Sequence, residues 1–85
     1  MLFRSVVRRV PERVELTERQ FQIVALVARG LSDRDIAATL KLSVRTVSNY
    51  LSEIYVRAEC RNRTELAVRA VAADFVVRST SGRIR

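Results

Sequence analysis

Histidine is absent from this sequence of 85 residues, and Cys60 is its only cysteine. There is therefore no imidazole base and no Ser-His or Cys-His nucleophile pair, and a single thiol forms neither a zinc cluster nor a disulfide within the chain. No apolar run approaches the ~18 residues of a membrane-spanning helix. These absences exclude most enzyme classes. We expect a cytoplasmic protein with no catalytic residue, cofactor or bound metal.

Positive charge clearly exceeds negative charge: 16 Lys+Arg stand against 9 Asp+Glu, for a formal net charge of +7. Lys41 is the only lysine, and the other positive residues are all arginines. The planar guanidinium group of arginine presents N–H donors in a fixed geometry that matches phosphate oxygens and guanine edges. A chain this basic is a candidate for binding nucleic acid, although an acidic protein surface or anionic lipid would also suit it. Charge alone leaves these partners open.

Four side chains that can accept a hydrogen bond mark the starts of helices: Thr17, Ser32, Ser43 and Asn62. An oxygen at such a position accepts from a backbone N–H that the first helical turn leaves unpaired. Gln20 completes a capping box with Thr17, and Gly30 stands where a left-handed residue ends the first helix. The pattern predicts helices over residues 18–28, 33–40, 44–57 and 63–77.

Only Lys41 and Leu42 separate the second predicted helix from the cap of the third. So tight a connection between two helices is typical of a helix-turn-helix motif. The third helix divides into an apolar stripe and a polar face, which carries Arg45, Ser48, Asn49 and Ser52. Short polar side chains can approach base edges closely, but an ordinary solvated helix surface would show the same face.

The fourth predicted helix is too apolar for one buried stripe, because valine and alanine dominate residues 66–77. Its surplus apolar surface is suited to a contact with a second copy of the chain. Residues 1–15 are expected to form an N-terminal arm or a short helix. Residues 78–85 lack periodicity and are expected to form a flexible basic tail.

Between residues 16 and 75 the sequence resembles the LuxR/GerE-type DNA-binding domain of bacterial transcription regulators. The motifs that carry the resemblance are ARGLS at 28–32, DIA at 35–37, LS at 42–43 with TV at 46–47, and RNRTEL at 61–66. The resemblance implies an all-α, four-helix domain over residues 16–77. It further implies that the third helix enters the major groove of double-stranded DNA, that the fourth makes the dimer contact, and that RNA polymerase is a partner at promoters.

The family's functional positions can be transferred one by one onto this chain. The resemblance assigns base reading to Ser48, Asn49 and Ser52. It assigns phosphate contacts to Ser43, Arg45, Thr46, Arg57, Arg61 and Arg63. The dimer interface falls on Val68, Val71, Ala72 and Phe75.

The chain departs from the family pattern at several positions, including Ala58 where a leucine is usual and, more mildly, Gln20 and Gln22 in the family's glutamate-rich first helix. Ser48 stands where a lysine is common and Tyr50 where a histidine is common, so one charge facing the DNA groove is missing. Each lost phosphate contact lowers the slope of the salt dependence by about one unit. Glu59 stands where a glycine is usual, and a left-handed backbone there would cost about 1 kcal/mol.

The sequence therefore predicts a stand-alone, homodimeric regulator that binds specific DNA sequences. The main alternative is an adaptor or antagonist that pairs through its fourth helix with a larger regulator and disables it. A fragment of RNA polymerase sigma-factor region 4 is a third interpretation, but a helix after the reading helix argues against it. We interpret Cys60 as a small buried side chain that fills space in the apolar core. The alternative is a redox-responsive thiol whose pKa the neighbouring arginines lower.

Overall fold

The computed structural model describes residues 13–78, which form four helices and two short strands. In chain order these are β1 (Val14–Leu16), α1 (Glu18–Ala28), α2 (Asp33–Leu40), α3 (Val44–Ala58), α4 (Arg63–Val71) and β2 (Phe75–Val77). The predicted four-helix fold is confirmed. Residues 1–12 of the expected arm and residues 79–85 of the expected tail lie outside the described residues.

All four predicted N-caps are confirmed. The backbone N–H groups of the third helical residues donate to Thr17 Oγ1 at 3.1 Å, Ser32 Oγ at 3.1 Å, Ser43 Oγ at 3.0 Å and Asn62 Oδ1 at 2.8 Å. The predicted capping box is present, because Thr17 N also donates to Gln20 Oε1 at 3.0 Å. Each cap satisfies a backbone donor that would otherwise have no partner in the helix, and so fixes where the helix begins.

The four helices end in the same kind of turn. After each, a backbone N–H donates five residues back, as Leu31 N does to Leu26 O at 3.1 Å and Cys60 N to Tyr55 O at 3.0 Å. This closure requires a left-handed residue just beyond the helix. Glycine fills that place only after α1; the left-handed residues are Gly30, Lys41, Glu59 and Ala73.

Replacing Glu59 with glycine is expected to stabilise the fold. Glu59 has φ 57° and ψ 39°, a conformation in which a Cβ atom costs about 1 kcal/mol that glycine does not incur. Glu59→Gly should therefore raise the free energy of unfolding by about 0.5–1 kcal/mol, or the melting temperature by roughly 4 °C. Thermal unfolding checks this. Glu59→Ala is the matched control, since alanine removes the carboxylate but keeps the Cβ, and an equal gain in both variants would contradict the explanation.

The fourth helix is shorter than predicted. It ends at Val71, and residues 75–77, which the prediction placed in this helix, form strand β2. The strand runs parallel to β1, with Val14 opposite Phe75 and Leu16 opposite Val77. The left-handed backbone of Ala73 (φ 64°) stops the helix, and the β-branched and aromatic residues after it fit a pleated strand.

One hydrophobic core joins the helices and the strand pair. Its most deeply buried side chains are Leu16, Ile23, Val24, Ile36, Val47, Ile54 and Leu66. Helix α3 contributes the stripe predicted for it, with Val47, Leu51 and Ile54 all buried. Across residues 13–78, no helix has the length and apolar character needed to cross a membrane.

Candidate DNA interface

Helix α3 is anchored by its buried stripe so that its opposite face points to solvent. Three residues, 41–43, connect it to α2. The left-handed backbone of Lys41 reverses the chain direction, and Leu42 N donates to Ala37 O at 2.8 Å to close the turn. Ala37 is itself buried, and its small side chain lets the two helices approach closely. The result is a helix-turn-helix whose second helix is held by α2 and by the core.

The residues predicted to read bases lie together on the solvent face of α3. Ser48, Asn49 and Ser52 are all exposed, as is Arg45 one turn before them. At about 100° per residue these four positions fall within one side of the helix, opposite the buried stripe. The face carries one cation, two hydroxyls and an amide, but no acid. Glu53, also exposed, lies at its edge.

The first turn of α3 is held rigidly by two hydroxyl groups. Ser43 Oγ accepts from Thr46 N at 3.0 Å and donates to Thr46 Oγ1 at 2.9 Å. Both residues were predicted to contact phosphate. In this structure the Ser43 hydroxyl caps the helix and the Thr46 hydroxyl accepts from it. The backbone N–H groups at the start of a helix also favour an anion.

The predicted phosphate-binding arginines differ in how firmly they are held. Arg61 is 90% exposed, with only a 3.8 Å pair to Glu65. The guanidinium of Arg63 instead donates to Asp33 Oδ1 and to the Leu31 carbonyl, both at 2.7 Å, and so ties the start of α4 to the start of α2. The geometry thus gives Arg63 a structural contact that the sequence did not indicate, and its phosphate contact stays a prediction.

Arg57 is likewise joined to another element, the strand β1. Its Nε donates to the Glu15 carbonyl at 2.7 Å, although the side chain remains on the surface. Arg78 approaches the Glu15 carboxylate to 3.8 Å. Positive charge therefore lies beside the last turn of α3. The sequence did not show that Arg78 belongs to this group, because the contact depends on the pairing of two strands about sixty residues apart.

The predicted dimer residues separate into two groups. Val68 and Val71 are 61% and 77% exposed on α4, and Ala72 just after the helix is exposed too. Phe75 is different, because it lies on β2 and is only 6% exposed. Its ring packs within the core of its own chain. The placement of Phe75 on a helix surface was wrong, since α4 ends before it.

A half-buried arginine links the end of α3 to β2. Arg69 donates to the Ala58 carbonyl and to Asp74 Oδ2, the latter at 3.1 Å, and its Cζ lies 5.4 Å from the centre of the Phe75 ring. Cys60 is buried nearby, with Sγ 3.8 Å from Arg69 Nη1. Burial acts to lower the pKa of Arg69, but hydrogen bonds and charge from Asp74 and Cys60 outweigh it, so the pKa is raised above its usual value.

Within the part of the chain that the structure describes, no three His, Cys, Asp or Glu residues are grouped to hold a metal ion. The solvent face of α3 is the densest cluster of the predicted functional residues. A helix held against its partner by a tight turn, with a polar outer face and adjacent arginines, defines a helix-turn-helix DNA-binding domain.

Comparison with known proteins agrees with this class. The model of the GerE family, described as bacterial regulatory proteins of the luxR family, matches residues 14–70. The chain belongs to this family and carries the DNA-binding domain of its transcription regulators. The resemblance inferred from the sequence motifs is thereby confirmed.

Individual relatives share this domain with the chain. "Response regulator Rre1" of Synechocystis sp. is 39% identical over 56 residues, covering 66% of this chain and 24% of that protein. "Probable transcriptional regulator ycf29" of Cyanophora paradoxa is 33% identical over 64 residues (75% and 30%), and "Response regulator protein VraR" of Staphylococcus saprophyticus is 33% identical over 72 residues (80% and 34%). The chain thus spans between a quarter and a third of the length of these relatives.

Proposed function

We propose that the chain binds specific sequences of double-stranded DNA by placing α3 in the major groove, and regulates transcription there. The observation that carries this proposal is the solvent face of α3, where Arg45, Ser48, Asn49 and Ser52 are exposed together opposite a fully buried stripe. A helix with its side chains is about 10–12 Å wide and fits a major groove about 12 Å wide. Asn49 can then pair with adenine, and Arg45 with guanine or a phosphate.

Backbone contacts would come from the ends of this helix and from the loop that follows it. Arg61 is almost fully exposed, and Arg57 lies at the surface beside the last turn of α3. The Ser43–Thr46 turn presents backbone N–H groups to the other end of the same surface. Such contacts position the protein without reading sequence, and they make binding fall steeply with salt.

A symmetric dimer is the assembly we propose, formed through the exposed valines of α4. Val68 and Val71 lie three residues apart on one face of the helix, and Ala72 continues that apolar surface. Two copies joined there would present their reading helices to half-sites about 34 Å apart. The same surface would serve pairing with a larger regulator. We further propose that RNA polymerase is a partner of the chain at promoters. We also propose that the protein acts in the cytoplasm.

Selection from a random duplex library tests the proposed function. The purified chain is incubated with the library at two salt concentrations, and its mass in solution is measured at the same protein concentration. An enriched motif with two-fold symmetry, together with a steep loss of binding at the higher salt, supports a dimeric sequence-specific regulator. Weak binding without enrichment would overturn it and favour the adaptor, for which the exposed valines of α4 would be the binding surface.

Two substitutions should separate base reading from phosphate binding. Asn49→Ala should weaken binding to the selected sequence by about 1–3 kcal/mol and leave binding to unrelated DNA unchanged, because a bidentate amide contact distinguishes bases. Arg61→Ala should weaken binding to both probes alike and lower the salt slope by about one unit. Titration of each variant with both probes checks this. Equal effects of the two substitutions on every probe would contradict the assigned roles.

A further inference from the structure

An open groove lies beside the reading face, between the start of α1 and the last turns of α3. It offers about 550 Å³ of space open to solvent and is lined by Gln20, Ser52, Glu53, Val56 and Arg57. Ser52 belongs to the reading face and Val56 lies one turn further along it, so the groove continues that face toward α1. The resemblance assigned no role in DNA binding to α1, where Gln20 entered as the partner of a helix cap and as a mild departure from the family's glutamate.

Two side chains in this groove are held through one atom while their other donors remain available. Gln20 Oε1 accepts from Thr17 N at 3.0 Å, which turns the amide NH₂ away from the cap. Arg57 Nε donates to the Glu15 carbonyl at 2.7 Å, which leaves its two Nη groups. Among residues 13–78, no hydrogen bond engages the Gln20 NH₂ or the Arg57 Nη groups. Side chains fixed in this way lose little conformational entropy when an acceptor arrives.

The shape of duplex DNA indicates which acceptor this would be. An α-helix is about as wide as the major groove. When it lies in that groove, the phosphates of one DNA strand run along one side of the helix and those of the other strand along its other side. The groove between Gln20 and Arg57 lies on one flank of α3. A phosphate offers acceptor oxygens to an amide and a guanidinium together, while the carboxylate of Glu53 opposes any anion that approaches its own side.

We infer that Gln20, with Arg57, holds a backbone phosphate of the bound DNA, so that α1 takes part in the interface. This inference rests on the proposed function. It makes the amide of Gln20 important for a second reason beyond the helix cap. A glutamate at this position would keep the cap, since its carboxylate accepts from Thr17 N equally well, but it would direct a negative charge at the phosphate.

The test compares Gln20→Glu with Gln22→Glu in the whole chain. Gln22 is exposed on the opposite side of α1 and outside the groove, so both variants change the net charge equally. The probe is a mixed-sequence duplex of about 30 base pairs, titrated between about 50 and 200 mM salt. Gln20→Glu should weaken binding roughly fivefold at the low salt, less at the high salt, and Gln22→Glu less than about twofold. Thermal unfolding should show both variants as stable as the parent.

The outcomes distinguish this inference from the proposed function. A parent chain that fails to bind the duplex at low salt would overturn both. A parent that binds, with Gln20→Glu and Gln22→Glu weakened equally, would overturn the contact at Gln20 alone. A larger loss for Gln20→Glu that shrinks with salt, at unchanged melting temperature, supports the phosphate contact, because a damaged cap would lower the melting temperature instead.

Discussion

The Phe75→Ala variant is expected to lose about 3–5 kcal/mol of unfolding free energy, which is the usual cost of truncating a buried phenylalanine to alanine. Phe75 is 6% exposed, packs in the core from strand β2, and lies under the guanidinium of Arg69. The total free energy of unfolding of a small domain is only about 5–15 kcal/mol. A large fraction of the Phe75→Ala molecules would therefore be unfolded at about 37 °C. Urea unfolding monitored by circular dichroism measures the loss. Phe75→Leu, which keeps most of the volume, should cost under about 1.5 kcal/mol and stay folded.

Val71→Ala is the matched control for this prediction. Both residues were predicted to lie on the surface of one helix, but Val71 is 77% exposed and contacts little of its own chain. Its truncation should change the unfolding free energy of the monomer by no more than about 0.5 kcal/mol. If Val71→Ala were as destabilising as Phe75→Ala in dilute monomer, the placement of Phe75 in the core and of Val71 on the surface would both be contradicted.

Helix starts could be predicted from the sequence because a cap is a local interaction. The hydroxyl of Thr17 and the N–H of Gln20 are three residues apart, so a serine, threonine or asparagine before an apolar periodic run carries nearly all the information. The same reasoning applied at Ser32, Ser43 and Asn62. The predicted starts of all four helices are confirmed for this reason.

Helix ends were harder to predict because their usual signal, glycine, stands at only one of the four helix ends. Gly30 marks the end of α1, but Lys41 and Ala73 adopt the same left-handed backbone and have no special tendency to do so. Only packing of the surrounding elements selects that conformation. The run of alanine and valine through Ala73 reads as a continuing helix, and this is why α4 was predicted six residues too long.

The strand pair and the arginine contacts share a different difficulty, since both join residues that are distant in sequence. Val14 pairs with Phe75, and Arg63 reaches Asp33 thirty residues away. No local pattern specifies such partners. The exposed face of α3, in contrast, follows from helical periodicity alone, so the predicted positions of Ser48 and Asn49 at the surface are confirmed while their role in base reading remains a proposal.

Arg69→Ala should lower the free energy of unfolding by about 2–3 kcal/mol, the largest effect expected of any charged residue that the structure describes. Arg69 is 23% exposed in its side chain and satisfies the carbonyl of Ala58 at the end of α3 together with the carboxylate of Asp74 before β2. Removing it leaves the Ala58 carbonyl with only the weak thiol donor of Cys60 at 3.8 Å and leaves the Asp74 carboxylate without its arginine. A lost hydrogen bond to a charged group costs about 1.5–3 kcal/mol. Denaturant unfolding of the parent and the variant measures the difference.

The arginine that pairs with Glu65 provides the control for this prediction. Arg61 also sits beside an acid, but it is 90% exposed, and such pairs contribute at most about 0.5 kcal/mol. Arg61→Ala should therefore leave stability nearly unchanged. Arg69→Lys should recover only part of the loss, because an ammonium cannot present the planar fork that reaches Ala58 and Asp74 together.

The pH dependence of the Arg69 contribution follows from the sign of its pKa shift. Burial lowers this pKa, but the interactions with Asp74 and Cys60 raise it by a larger amount, so the net shift is upward. A raised pKa in the folded state gives stability that is fully present below the ordinary arginine value and is lost only as pH rises beyond it. The difference between the parent and Arg69→Ala should thus stay constant from about pH 6 to about pH 7.5. A difference that fell steadily across this range, or one no larger than that of Arg61→Ala, would contradict the role of Arg69 as the link between α3 and β2.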